Sequence, residues 1–185
     1  MTTTASERAM ARAFMKLISA PYSSRVGYAI IAWVRSETGR TIVGNNPWNQ
    51  HAGPACPPTA GSMVKCNGRL VPHSQRITNG FDPCLIGNRY AGTGDRNVAI
   101  YSSIACGLQT SADNLLTGFS PQRAWTKYDH VVIAARKNDP KGFMDALASS
   151  AWAADRYGTK NGGSNRLVEV YRDIVSGLGA WYQVT

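Results

Sequence analysis

Glu37 is the only acidic residue between Glu7 and Asp82, and it closes a stripe of apolar residues. Val26, Ala29, Ile30, Trp33, Val34 and Glu37 recur at spacings of three and four, which puts them on one face of a helix, so the carboxylate projects from the side turned to the core. A carboxyl group in that position is either paired or neutral. Desolvation disfavours the charged form, and the negative end of the helix dipole acts in the same direction. Such a group is suited to donating a proton to a leaving oxygen, as in glycoside cleavage. The competing explanation is a structural helix-end carboxylate paired with Arg35 or Arg40.

The segment Asn45-Asn46-Pro47-Trp48-Asn49 follows directly. Asn46 and Asn49 are turn formers around Pro47, or hold a sugar N-acetyl group or a water. Trp48, Tyr90 and Trp152 offer flat rings that match the C–H faces of a pyranose, whereas Trp33, Trp125 and Trp181 read as core. Asp82 and Asp95 are the only acids of the middle segment and so the only candidates there for a second carboxylate; Asp95 is equally well explained as a turn residue. His130 has no Ser or Cys partner at a recognisable spacing, which leaves a hydrolytic triad unsupported. No phosphate-binding loop or dinucleotide fingerprint is present.

The elements that position these residues follow from pattern. A first helix runs from Ser6 to about Ser19 with Ala9, Met10, Ala13, Phe14, Leu17 and Ile18 at helical spacing, stopping before Pro21. A second starts at Ser23 or Ser24, either of which can cap it, and ends near Thr38 with Gly39 suited to a left-handed C-cap. From Gly39 to Asn97 the chain holds half of the eighteen glycines, six of the nine prolines and three of the four cysteines, which excludes regular helix. Short strands are expected around Lys65 to Val71 and at Val98 to Tyr101, with turns at Asn67-Gly68 and Asn79-Gly80. So long an irregular stretch in a compact domain reads as a lobe lining a cleft. Helices return after Ser102 or Ser103 (Ile104, Leu108, Ser111, Ala112, Leu115), then at Tyr128, Val131, Val132 and Ala135. Asp139 and Pro140 open another through Phe143, Met144, Leu147 and Ser150. The last carries Leu167, Tyr171, Ile174, Val175 and Leu178.

Taken in order, a helix ending in Glu37, the Asn-Asn-Pro-Trp-Asn segment, a Gly-rich lobe and Tyr101-Ser102-Ser103 leading into a helix resemble the lysozyme-like superfamily. Within it the similarity is to phage and bacterial peptidoglycan hydrolases of the lytic transglycosylase and glucosaminidase kind, and it covers roughly residues 22 to 160. The resemblance implies a mainly α (α+β) lysozyme-like helical domain over 1–185, with the irregular Gly/Pro-rich lobe at 39–97 bearing the short strands. It implies cleavage of the β-1,4 bond between N-acetylmuramic acid and N-acetylglucosamine, with Glu37 as catalytic acid and no cofactor. Tyr101 would stabilise the oxocarbenium-like state, and Asn46, Asn49, Tyr90 and Trp48 would bind substrate. The lobe between Trp48 and Tyr90 is longer than the family pattern. The implied setting is a phage virion tail or, after release, the host envelope; a rival is a non-catalytic virion protein on the same scaffold, binding cell wall or a neighbouring subunit.

Composition bounds these readings. At 185 residues and 43% hydrophobic, the chain suits one domain with a full core. A formal charge of +9 and a pI of about 9.7 imply an anionic partner, and the sign alone does not separate nucleic acid, teichoic acid, anionic lipid and acidic cell-wall polymer; the resemblance puts peptidoglycan strands and virion proteins ahead of nucleic acid. The basic residues form no run of five or more. The longest apolar run, Tyr28 to Val34, is about seven residues against the roughly twenty a membrane span needs, and the N-terminus shows no secretory signal pattern. Cys56, Cys66, Cys84 and Cys106 lack zinc-knuckle spacing; with His51 and His73 a metal site is conceivable, against disulfide or reduced structural thiols.

Overall fold

The computed structural model describes residues 2–39, 41–49, 63–66, 69–72, 85–89, 98–117, 128–150 and 166–178. Among these the protein is mainly helical. Helices α1 (Ala5–Leu17), α2 (Ser24–Thr38), α3 (Ile104–Thr117), α4 (Asp129–Arg136), α5 (Pro140–Ala148) and α6 (Arg166–Ser176) are joined by short strands β1 (Met63–Cys66), β2 (Arg69–Pro72), β3 (Leu85–Arg89) and β4 (Val98–Tyr101). Each strand pair is antiparallel. Cys66 faces Arg69 in the first; Asn67 and Gly68, expected as a turn, lie outside the described residues. In the second, β3 pairs with β4 with an irregularity between Leu85 and Gly87. Pairing at 85–89 carried no clear alternation and was not anticipated. Asn79 and Gly80 lie outside the described residues.

Helix α2 is the centre of the molecule. It packs against α1, α5 and α6, and buries Val26, Gly27 and every residue from Ala29 to Arg35. The pattern had indicated one stripe; neighbours on several sides cover the helix almost all round over its middle turns. Gly27 faces α1, where a Cβ would meet the Ala11 Cβ at 3.9 Å, an ordinary van der Waals contact. Ser23 occupies the N-cap position without a side-chain cap bond; Gly39 has the positive φ (68°) of the expected left-handed cap, but its ψ of −123° is not that of the left-handed helical region.

The face of α1 is turned from the expected one. Met10, Ala11, Phe14, Met15 and Ile18 are buried, while Ala9 and Ala13 are exposed. Alanine spacing was a poor guide here: the buried face includes Ala11 and Met15 in place of Ala9 and Ala13, and Leu17 is only half-buried. The N-terminus holds a capping box: the Thr4 hydroxyl accepts from the Glu7 N–H at 3.1 Å, and the Glu7 carboxylate accepts from the Thr4 N–H at 2.7 Å.

The later helices follow their patterns closely. Ser103 accepts from the Cys106 N–H at 3.2 Å as α3 begins, and Asp139 accepts from the Gly142 N–H at 2.8 Å ahead of Pro140 in α5. Tyr128, Val131, Val132, Ala135, Phe143, Met144, Leu147, Leu167, Tyr171, Ile174 and Val175 are all buried. Leu178 is the exception at 39% exposed, because α6 ends at Ser176 and the side chain falls beyond the packed face. Among the described residues no helix is long and apolar enough to cross a membrane.

Candidate functional site

The end of α2 and the loop 41–49 are held in place from three directions. Trp48 is the anchor: it is 1% exposed and its ring lies 4.5 Å from Phe14 and 4.6 Å from Trp33, centroid to centroid. Truncating a buried aromatic costs about 3–5 kcal/mol, against about 1 kcal/mol for a typical hydrogen bond. Packing of Trp48 therefore holds the loop down, and the polar contacts set its register.

The asparagines provide those contacts. Asn45 Nδ2 donates to the Tyr101 carbonyl at 2.8 Å, Asn46 Nδ2 to the Ala99 carbonyl at 3.0 Å, and the Tyr101 N–H to the Gly44 carbonyl at 2.9 Å, so the loop runs along β4. Asn49 Nδ2 donates to the Glu37 carbonyl at 2.7 Å, tying the far end of the loop to the last turn of α2. Gly44, Asn45 and Asn49 have φ of 63°, 53° and 48°, the left-handed region that glycine and asparagine tolerate best. Asn45 thus has a positioning role that spacing alone did not suggest; its left-handed conformation suits the Gly-Asn turn before it.

Gly107 closes the arrangement from α3. A Cβ at this position would overlap the Asn45 carbonyl oxygen and press on Pro47 Cδ and Tyr101 Cδ2, each 3.2 Å away. Only glycine lets α3 sit this close to the loop. The residue reads from sequence as an ordinary small position in a helix, and only the neighbouring loop shows its purpose.

Glu37 stands at the edge of this framework, half-buried. The apolar stripe that carries it is fully buried up to Val34, and Ser36, Glu37 and Thr38 after it are half-buried. Arg35, a suggested partner, is engaged elsewhere: its guanidinium is 6% exposed and donates to Glu7 Oε1 at 2.7 Å, Glu7 Oε2 at 2.9 Å and the Thr2 carbonyl at 3.0 Å. Arg40 lies outside the described residues. Burial pushes the Glu7 carboxyl upward, but the Arg35 hydrogen bond, the Thr4 N–H and the Arg35 charge outweigh it and hold Glu7 below its ordinary value.

Of the residues expected to meet a substrate, Glu37 and Asn49 are half-buried at the surface, and their segments touch. Asn46 is 0% exposed and spends its amide on β4, so it shapes the loop. Trp48 was expected as a sugar platform, but Phe14 and Trp33 pack on its ring and it belongs to the core. Tyr101 is 2% exposed, its ring against Gly107 and its backbone bound to Gly44 and Asn45, so the phenol stands behind the loop. Tyr90, Asp82, Asp95, His51, His73, Trp125, Trp152 and Trp181 lie outside the described residues. A cavity of about 450 Å³ opens beside this end of the molecule, lined by Thr4, Glu7, Arg35, Ile42 and Ile104 among others; Glu37 does not line it.

Cys106, in the first turn of α3, is disulfide-bonded, which selects the oxidised alternative for this cysteine. Its partner side chain lies outside the described residues. Among the described residues no group of three His, Cys, Asp or Glu side chains is placed to hold a metal. Compared with known proteins, the chain matches no protein family, no curated protein and no solved structure.

Proposed function

We propose that the protein cleaves the glycan strands of peptidoglycan at the β-1,4 bond between N-acetylmuramic acid and N-acetylglucosamine, with Glu37 as the proton donor. One observation carries this reading. The segments that resemble lysozyme-like enzymes, the Glu37 helix end, the Asn-Asn-Pro-Trp-Asn loop and the Tyr101-Ser102-Ser103 lead into α3, converge on one another through named hydrogen bonds. Glu37 is left half-buried at their margin.

In the proposed reaction the Glu37 carboxylic acid protonates the glycosidic oxygen as its bond to C1 breaks. The resulting carboxylate then takes a proton from the group that attacks C1. If that group is water, the outcome is hydrolysis; if it is the 6-hydroxyl of the same sugar, the product is an anhydro-sugar. A general acid contributes about 10²–10⁴-fold. Glu37→Gln is therefore expected to lower the clearing of purified cell walls by that factor with its melting temperature unchanged, and mass spectrometry of the fragments separates the two products. Equal clearing by both proteins would remove Glu37 from the mechanism.

A second reading has its own observation: Asn46, Trp48 and Tyr101 are all buried and act as framework. A virion protein that keeps the scaffold without the chemistry fits that. Its mark in the same experiment is no clearing by either protein.

A further inference from the structure

We propose that the outward face of α1 is a docking surface for a linear, base-free phosphodiester polymer of the kind that decorates bacterial cell walls. Arg8, Arg12 and Lys16 follow one another at four-residue spacing, and all three are exposed. The chain had shown only scattered cations; the helix aligns these three into one row about 6 Å apart along the axis, close to the repeat of an extended phosphodiester chain. Ala5, Ala9 and Ala13, also exposed, run beside them, so one side of the row is bordered by methyl groups only.

An ordinary solvated helix face mixes signs, because a Glu four residues before a cation adds a few tenths of a kcal/mol and like charges at that spacing cost a similar amount. This face has no acid. The one carboxylate of α1, Glu7, is turned inward to Arg35 and the Thr4 N–H. Among the described residues none of the three cations has a carboxylate partner. Two of the three are steadied: Arg8 Nη1 donates to the Thr3 carbonyl at 2.7 Å and hydroxyl at 3.1 Å, and the Arg12 guanidinium lies 4.4 Å above the centroid of the Tyr22 ring.

The chemistry of the row favours a chain without bases. Single-stranded nucleic acid is held by aromatic rings on which bases stack, and among the described residues the one exposed ring, Tyr22, has the Arg12 guanidinium on one face. A membrane surface would also need apolar side chains to insert, and the apolar side chains of α1 are spent on the core. Placing the polymer in the cell wall rests on the glycan-cleaving reading above; the binding itself does not depend on catalysis.

The test is equilibrium binding of the full chain to poly(glycerol phosphate), with single-stranded DNA of matched phosphate number and phosphatidylglycerol vesicles as the other arms. Three phosphate contacts predict about a twentyfold loss of affinity between 50 and 200 mM salt. The variant R8Q/R12Q/K16Q, with Gln chosen because it keeps helix propensity, is expected to lose at least about tenfold and most of the salt dependence. The variant K137Q/R166Q/R172Q removes the same charge from exposed sites elsewhere and should bind as wild type does. Arg12→Glu provides a second reading if the triple variant melts early. Absence of binding by wild type, equal loss in the control variant, or tighter binding to DNA or vesicles would each overturn the proposal. Failure of Glu37→Gln to affect wall clearing would leave these measurements unchanged.

Discussion

Glu7 and Arg35 show how much a single pair can decide. Glu7 caps α1, neutralises a guanidinium that is 6% exposed at the end of α2, and so joins the start of one helix to the end of another. Glu7→Gln leaves Arg35 short of its partner and is expected to destabilise the fold by about 1–3 kcal/mol at neutral pH. The pH dependence follows from the sign of the shift. The folded carboxyl lies below its ordinary value, so the protein gains stability above the unfolded value of about 4.3 and loses it as pH falls through the folded one. Thermal melts of both proteins should therefore differ most near pH 6 and converge toward pH 3; a constant gap would mean that the pair is not the titrating contact. The Thr4-x-x-Glu7 spacing is itself a capping-box signature, although the apolar pattern starts the helix at Ser6 and passes over it. That the same carboxylate also reaches Arg35, 28 residues away, was not legible in the chain.

At the scale of elements, α3 and the loop 41–49 fit because Gly107 has no side chain. Gly107→Ala would drive a Cβ into the Asn45 carbonyl, backbone rather than a flexible side-chain end, so the loop or the helix must shift. Overpacking of this kind costs about 1–3 kcal/mol, more than the gain in helix propensity of about 1 kcal/mol. Denaturant unfolding should show a net loss. Under the proposed function wall clearing should fall as well, since the shifted loop carries Asn49 and through it the Glu37 helix end; a variant as stable as wild type would show that the contact is slack. Helix boundaries were readable where a local signal exists, as at Gly39, Ser103 and Asp139-Pro140. They failed where neighbours decide, as on the exposed alanines of α1 and at Leu178.

For the whole molecule, a disulfide at Cys106 adds a covalent restraint to a core already centred on α2. Bridges of this kind contribute about 2–4 kcal/mol, which for a chain of this length corresponds to a change in melting temperature on the order of 10 °C. Reductant should lower the midpoint by that amount, and Cys106→Ser should reproduce the drop; a midpoint indifferent to both would show that the bond restrains nothing that unfolds. The mainly helical class, the order of the six helices among the described residues, the candidate acid and the Asn-rich loop after it were all determined by sequence. They rest on local periodicity and on backbone preferences of Gly, Pro, Asn and Ser, which act over a few residues. Whether a side chain works at the surface or in the core depends on what packs against it from distant parts of the chain. Tertiary structure alone therefore moved Trp48, Asn46 and Tyr101 inward, left Glu37 at the margin, and left Arg8, Arg12 and Lys16 exposed with no carboxylate partner among the described residues.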